Sequence, residues 1–438
     1  MKLRLILIMT GCLVSVCVAG KNPVTLRECI DYAMEHNLSI RENNLTVSER
    51  KTDYTRKLLS LFPSVSLYGN GNFNWGRSVD MQELVIIKNK LTESASLSLG
   101  AEWTVFHGLS GQFSRLAAKY EIDAALLDND RLKDEISLNI TEAYLQLILS
   151  EELSKTAFHN YQKMLSEKDR VTSLVEAGRQ PGLSLYNMEA QCAGELSRLT
   201  GCQCDNKRNI MKLAQLLNLP YDGDFKARYP QDVEDAPPPP DFTMEEIESC
   251  AGRRPEIRAM KSTVESKRLL VKAAKGAATP AVTLSGAYSS YFSSTAGEGF
   301  GKQLANNVNP SLGIGIEIPI FDGFYNITAI RNGKMEYERS RLQAEESMQE
   351  VVATIQSAFI EAGNLYQMML SAKEKMDAAE KMMNASLAKF NSGGITAVEY
   401  TVTRTDFLTA QSEYIRSKWQ YVFQLKIIDY YKGNPIEL

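Results

Sequence analysis

The stretch that decides the fold is LSLGAEWTVFHG at residues 97–108, because the chain contains its pattern twice. The pattern recurs as LGIGIEIPIFDG at residues 312–323, an offset of 215 residues. A second pair of segments, PSVSLYG at residues 63–69 and PAVTLSG at residues 280–286, recurs at an offset of 217 residues. A register that holds over such a distance with a two-residue change in length indicates a duplicated structural unit.

The duplication predicts two structural repeats, at residues 21–220 and 242–438, joined by a linker at residues 221–241. The linker contains the run from Pro237 to Pro240, which is typical of a stiff polyproline connector. Each repeat is predicted to contain a helix, two strands, a long helix and a returning helix, in that order. The predicted bounds are strands at about 63–75, 95–106, 280–292 and 311–321, long helices at about 109–177 and 324–391, and return helices at about 183–219 and 395–432.

Apolar and polar side chains alternate along the predicted strands, which indicates β-strands with two different faces. Between Leu97 and Val105 the odd-numbered residues are apolar or small, and the even-numbered ones are serine, glycine, glutamate and threonine. The segments are about 9–11 residues long, the length of a tilted strand that crosses a membrane. Aromatic residues near their ends suit the two membrane interfaces. Half-buried strands of a soluble sandwich are the alternative, although four strands in 438 residues make a poor sandwich.

Two segments predict helices far longer than the usual length of about 11–12 residues. Residues 112–177 contain neither glycine nor proline, and residues 324–392 contain only two glycines. Each helix would extend about 100 Å at 1.5 Å per residue. Both segments end at glycines, Gly178 and Gly393, and glycine readily adopts the left-handed conformation that closes a helix. Helix is therefore predicted for well above half of the chain.

The first twenty residues are predicted to be a secretory signal peptide, because Lys2 and Arg4 precede an apolar run from Leu5 to Ala19. A lipoprotein signal with Cys17 as the lipidated residue is the alternative. No later apolar run reaches the roughly 18 residues of a membrane helix. The exported chain is therefore expected either to be soluble or to enter a membrane as a β-barrel. The net charge of −4 and the lack of a basic stripe argue against nucleic acid as a partner.

The sequence predicts no enzyme, no cofactor and no metal site. Its three histidines are far apart, and no phosphate-binding loop, nucleophile elbow or zinc motif is present. The five cysteines that follow the predicted signal peptide are an odd number, which does not suit a disulfide framework. We interpret them as small helix-packing residues, with zinc binding by Cys192, Cys202 and Cys204 as the alternative.

Four predicted strands cannot close a barrel, and an open sheet in lipid would leave unpaired backbone groups at two edges. Two copies of the chain would give eight strands around an interior filled by side chains, whereas three copies would give twelve around a hollow interior. Three copies would also collect the long helices into a tube about 100 Å long. The fold class predicted is therefore mixed α and β, mostly α, forming as a homotrimer a 12-stranded outer-membrane β-barrel joined to a long periplasmic α-helical barrel.

The chain resembles the TolC-like outer-membrane efflux proteins over nearly all of its length after the predicted signal peptide. The opening residues 25–33 and the strand entry at residues 62–67 are similar to those of the family. The corners between strand and helix at residues 105–108 and 320–323 also resemble the family's corners. The segment at residues 390–411 is similar to the family's second periplasmic tip and returning helix.

The resemblance implies a channel in outer-membrane lipid, a passive exit duct for substrates that an inner-membrane transporter and a periplasmic adaptor protein deliver. It also implies a narrow entrance near the second tip, where Glu399 takes one family acidic position and Val402 replaces the next. One acidic ring backed by an apolar ring is expected, and the acidic ring would favour cations. The residues expected to contact the adaptor lie at the tips: Gly178, Arg179, Gly393 and Gly394. The alternative interpretations are that Glu399 is a solvated helix residue without a role in the entrance, and that the glycines only terminate helices.

Two other protein classes fit the sequence less well. A periplasmic adaptor-like or coiled-coil structural protein would contain one helical hairpin beside soluble β-domains, whereas two hairpins and four strands of membrane length are predicted. A conventional porin would need many more strands and few helices. The sequence therefore favours the channel, located in the outer membrane with its helical barrel in the periplasm.

Overall fold

The computed structural model describes residues 24–79, 85–220, 226–228 and 237–434. The predicted signal peptide and most of the predicted linker lie outside these residues. Helices account for 71% of the described residues, which confirms the predicted predominance of helix. The helices are α1 (Leu26–His36), α2 (Leu38–Leu59), α3 (Ser110–Glu176), α4 (Gly182–Leu216), α5 (Met244–Arg253), α6 (Pro255–Ala277), α7 (Phe300–Asn306), α8 (Tyr325–Asn391) and α9 (Ala397–Lys432). In the part of the chain covered here, no helix combines the length and the apolar character needed to cross a membrane.

One antiparallel sheet contains strands from both repeats. Its strands are, in spatial and chain order, β1 (Ser64–Val79), β2 (Ile86–His107), β3 (Ala281–Ser293) and β4 (Val308–Glu317). Each repeat contributes one strand pair, and the pairing of β2 with β3 joins the two repeats. The predicted order of helices and strands is confirmed, and β1 and β4 are the two edges of this sheet.

The strand bounds differ from the prediction at both ends of the sheet. β1 and β2 stay paired as far as Val79 and Ile86, beyond the predicted strand bounds near residues 75 and 95. β4 ends at Glu317 instead of near residue 321. Glu317 is paired with Ala281, the first residue of β3, so no strand residue lies opposite the next positions, and Pro319 has no N–H to donate.

The register separates the sheet into two faces, because side chains of directly paired residues point to the same side. Leu67 of β1 pairs with Leu99 of β2, and Leu99 in turn pairs with Tyr288 of β3, so all three side chains lie on one face. The face that these three residues share is here called the apolar face, and it also carries Val65, Leu97, Trp103, Leu284, Leu312, Ile314 and Ile316. The opposite, polar face carries Ser66, Asn70, Asn72, Ser96, Ser98, Thr283, Ser285, Ser289 and Ser311. Most large side chains of the apolar face are exposed, and so large an exposed apolar patch indicates contact with lipid or a partner.

The connection between β3 and β4 contains α7, which the sequence analysis did not predict. The buried side chain of Gln303 in α7 accepts a hydrogen bond from the backbone N–H of Ser293 and donates one to its carbonyl, both at 3.0 Å. β4 begins only at Val308, which pairs with Ser290, so β4 has no residue opposite Ser293. The Gln303 amide therefore takes the place of a strand residue beside the end of β3, and its two hydrogen bonds attach the β3–β4 connection to β3.

Both corners between strand and helix contain two consecutive residues with left-handed backbone. They are Gly108 and Leu109, with φ of 57° and 60°, and Gly323 and Phe324, with φ of 62° and 65°. A left-handed conformation costs a residue other than glycine about 1–2 kcal/mol. The same strained turn thus recurs at equivalent positions of the two repeats, 215 residues apart.

The chain forms two compact units, and each unit takes residues from both predicted repeats. The unit with residues 39–134 and 242–357, here called the sheet unit, contains all four strands. The other, here called the tip unit, contains residues 24–38, 135–220, 226–228, 237–241 and 358–434. The turns that follow α3 and α8 belong to the tip unit, together with every site residue predicted from the sequence.

Candidate functional site at the helix tips

Both long helices end in the same kind of turn. After α3, the N–H of Arg179 donates to the carbonyl five residues before it at 2.8 Å, and Gly178 has a φ of 70°. After α8, the N–H of Gly394 donates to the carbonyl five residues before it at 2.8 Å, and Gly393 has a φ of 79°. A bond of this span around a left-handed glycine is the Schellman motif. The four predicted adaptor-contact residues therefore also have a structural role, which is to end the long helices.

One apolar cluster, here called the tip core, lies behind the two turns. Its buried members come from both repeats: Met164, Val171, Met188, Cys192, Phe390, Ala397 and Tyr400. The ring of Phe390 stacks on that of Tyr400, with centroids 5.3 Å apart and 6° between the planes. The guanidinium of Arg170 lies 5.9 Å from the Phe390 ring centroid. Burial of each large apolar side chain contributes about 1.5–3 kcal/mol. The tip core therefore stabilises the packing of the ends of α3 and α8 against the starts of α4 and α9.

A tyrosine and a glutamate link α9 to α3 beside the tip core. The hydroxyl of Tyr400 donates to Oε1 of Glu167 at 3.0 Å. Burial of the ring and, next, the negative charge of Glu167 raise the pKa of Tyr400 above its ordinary value. The hydroxyl therefore keeps its proton at physiological pH and remains a donor to the carboxylate.

A buried ion pair links α9 to α4. Nη1 of Arg404 lies 3.4 Å from Oε1 of Glu195, and each side chain is only 9% exposed. Nη2 of Arg404 also donates to the carbonyl of Asn160 at 3.2 Å. The sequence analysis missed this pair, although Arg404 stands four residues from Tyr400 and from Leu408 on the buried stripe of α9. A charge at such a position indicates a buried partner.

Glu399, which is predicted to line the entrance, caps the N-terminus of α9. Its carboxylate accepts from the N–H of Thr396 at 2.9 Å, and the Thr396 hydroxyl accepts from the N–H of Glu399 at 3.2 Å. This reciprocal arrangement is a capping box, which the Thr-x-x-Glu spacing signals in the sequence and which was missed. Val402 follows on the same helix and is 56% exposed, and Val398 is 58% exposed. The structure thus brings Glu399 and Val402 together on the exposed side of the first turns of α9.

The first turn of α4 presents an exposed apolar pair that the sequence analysis also missed. Leu183 is 76% exposed and Tyr186 is 70% exposed. Residues three positions apart are neighbours on a helix surface, and both follow directly after the turn at Gly178 and Arg179. Single exposed apolar residues are ordinary, but this pair adjoins predicted contact residues. It is therefore a candidate part of the same contact surface.

Cysteines contribute to packing in the tip unit. Cys192 is a member of the tip core, and Cys29 is buried in α1, where burial raises the pKa of its thiol to about 12. A thiol with so high a pKa is unreactive at physiological pH. Among the described residues, no group of three histidine, cysteine, aspartate or glutamate residues is placed to hold a metal ion.

A family model matches part of the chain. The model described as outer membrane efflux protein matches residues 247–426. This segment contains α6, both strands of the second repeat, α8 and most of α9. The match confirms the resemblance that the sequence motifs indicate. No curated protein sequence matches the chain.

Solved structures with the same fold cover nearly all of the chain. CusC, from a study of transmembrane channel formation, has a TM-score of 0.81 at 14% identity, covering 95% of this chain and 96% of its own. The Campylobacter jejuni CmeC outer membrane channel has a TM-score of 0.81 at 13% identity, covering 94% and 86%. The open state of the Neisseria gonorrhoeae MtrE outer membrane channel has a TM-score of 0.78 at 18% identity, covering 94% and 90%. Likeness at these identities establishes the fold.

Proposed function

We propose that this chain, whose residues 247–426 match the outer membrane efflux protein family, is the outer-membrane channel component of a tripartite efflux or secretion system. The sheet is the observation that carries the proposal. One of its faces is apolar and exposed, the other carries hydroxyl and amide groups, and its strands lead into two 67-residue helices. An adaptor-like or coiled-coil protein is not favoured, because the structures that share the fold are described as channels.

Three copies of the chain form the channel in this proposal. β1 and β4 are edges of the sheet, and each unpaired backbone group at such an edge would cost several kcal/mol in lipid. Joining β4 of one copy to β1 of the next removes every edge, and three copies give twelve strands around a hollow interior. The apolar face then contacts outer-membrane lipid and the polar face lines the passage. The helices continue the passage into the periplasm.

The tips bind the partners in this proposal. A periplasmic adaptor protein contacts the two turns, with Gly178, Arg179, Gly393 and Gly394 as its contact residues and Leu183 and Tyr186 beside them. An inner-membrane transporter delivers the substrate through that adaptor. The channel itself performs no chemistry, because a passive duct needs only a lined path.

The proposal is tested on the full chain purified in mild detergent. We expect a homotrimer by native mass spectrometry and discrete conductance steps in a planar lipid bilayer. The physical reason is that one copy leaves both sheet edges unpaired, whereas three copies pair them. A monomer under these gentle conditions, or a chain that fractionates as freely soluble, would contradict the proposal.

Glu399→Ala is expected to raise the leak conductance of the channel in a planar bilayer. Three copies would place three Glu399 side chains around the entrance, and shortening them widens the opening. The substitution also removes the helix cap at Thr396, so two further variants separate the effects. Thr396→Ala weakens the cap alone, and Glu399→Gln keeps the bulk and a capping-box side chain. An equal rise in Thr396→Ala would assign the leak to the lost cap, and no rise in Glu399→Ala would remove Glu399 from the constriction.

A further inference from the structure

The polar face of the sheet carries very few charges at the end next to the helices. Most side chains there are small and neutral, and many are hydroxyls: Ser64, Ser66, Ser96, Ser98, Thr104, Thr283, Ser285, Ser289 and Ser311. The charged side chains on this part of the face are Glu102 and Glu317. Glu102 pairs with Ser64 and Ser285, and Glu317 pairs with Ala281. The pairing of both glutamates thus assigns them to the polar face.

Both glutamates lie where the sheet meets the long helices. Glu102 is opposite Ser64, the first residue of β1, and five residues later β2 ends at His107 and leads into α3. Glu317 is the last residue of β4 and pairs with the first residue of β3. Because neighbouring strands run in opposite directions, the end of β2, the start of β3 and the end of β4 lie at the same end of the sheet. Glu102 lies opposite Ser285 and Glu317 lies opposite Ala281, so the two glutamates are four residues, or about 13 Å, apart along β3, both near the start of the helices.

The charged groups around these two carboxylates decide how much of their charge remains. Both side chains are exposed, and neither has an ion-pair partner among the residues that the structure describes. Lys90 and Lys88, the lysines of β2, are 12 and 14 residues from Glu102, a separation of at least about 40 Å at 3.3 Å per residue. That separation is several times the screening length of about 8–10 Å at physiological ionic strength. Among the described residues the two glutamates thus have no ion-pair partner on this face, where His107 also lies, opposite Ala281.

We infer that Glu102 and Glu317 make the passage select cations over anions where it runs from the sheet into the helices. The inference rests on the proposed trimer, in which three copies contribute six carboxylates around one axis. Rings of acidic side chains favour cations in channels, and low-dielectric walls strengthen their potential inside a narrow passage. Most other side chains on this part of the face are small and neutral, so the glutamates determine the sign of the potential there.

The test measures the cation-to-anion permeability ratio of the full-length trimer in a planar bilayer, from the reversal potential in a potassium chloride gradient. The variants are Glu102→Gln, Glu317→Gln and the double variant. Glu93→Gln is the matched control, because Glu93 is an exposed glutamate of β2 that pairs with Phe73 on the apolar face. We expect the ratio to fall at least about twofold in the double variant and partly in each single variant. We also expect the wild-type preference to weaken at 1 M salt, where the screening length is about 3 Å.

Each outcome has one meaning. Unchanged selectivity in a double variant that still forms conducting trimers overturns the inference and leaves the proposed channel intact. An equal fall in Glu93→Gln also overturns it, because the effect would then not depend on the face of the sheet. Absence of trimers and of conductance in the wild-type protein would instead contradict the proposed function itself.

Discussion

Gly108→Ala is expected to destabilise the protein by about 2–5 kcal/mol. Gly108 has a φ of 57°, a conformation that costs alanine about 1–2 kcal/mol. A Cβ at this position would also lie closer than 3.0 Å to the hydroxyl of Thr279 and to the backbone of Gly276. Backbone atoms cannot rotate aside as a side chain can, and overpacking adds about 1–3 kcal/mol. The measurement is the thermal midpoint of the helical circular dichroism signal in detergent.

The duplicated corner supplies the control for this prediction. Gly323 is equivalent to Gly108 and has a φ of 62°, but among the described residues no atom beyond its chain neighbours lies within 4 Å of a Cβ added there. Gly323→Ala should therefore cost only the conformational part, about 1–2 kcal/mol. Equal falls in the thermal midpoints of the two variants would show that the close approach of Gly108 to Gly276 does not limit stability.

Arg404→Met is expected to destabilise the tip unit by about 3–5 kcal/mol, because it leaves the carboxylate of Glu195 buried without its partner. The carboxylate has no spare support, since its Oε2 atom is buried and has no hydrogen-bond partner. The loss is measured as faster proteolysis near the tips and as a lower thermal midpoint. Replacing both partners, as in Glu195→Leu with Arg404→Met, should restore most of the loss, because no buried charge then remains.

An exposed ion pair in the same unit is the control for Arg404. Nζ of Lys375 lies 2.6 Å from Oε2 of Glu413, a shorter distance than in the buried pair, but the two side chains are 58% and 48% exposed. Exposed pairs contribute about 0–1 kcal/mol, so Lys375→Met should change the midpoint little. A similar loss in Lys375→Met and Arg404→Met would mean that burial does not set the strength of the Arg404 pair.

Sequence patterns predicted the types and order of the main elements, although several bounds were wrong. Long runs without glycine or proline predicted α3 and α8 within a few residues of their ends, since helix termination depends on local backbone conformation. Period-two alternation predicted four strands. It did not predict that β1 and β2 extend to Val79 and Ile86, because backbone pairing with a neighbouring strand needs no particular side chain.

The candidate site was predicted only in part. The glycines that end the two long helices were predicted, because such turns are local in sequence, whereas the entrance role of Glu399 stays a prediction. The capping box of Thr396 and Glu399 was equally local and was overlooked. The Arg404 and Glu195 pair joins residues 209 positions apart, so the identity of the partner could not be inferred from spacing.

The sequence by itself determined the duplication, the helix and strand types, and the glycines at both corners and both tips. These depend on interactions between residues a few positions apart, and each leaves a periodic or punctuating signal. The tertiary structure alone decided which corner glycine is crowded, that Gln303 completes the ladder of β3, and which carboxylate Arg404 neutralises. Those outcomes depend on which atoms meet in space, and equivalent residues of the two repeats meet different neighbours.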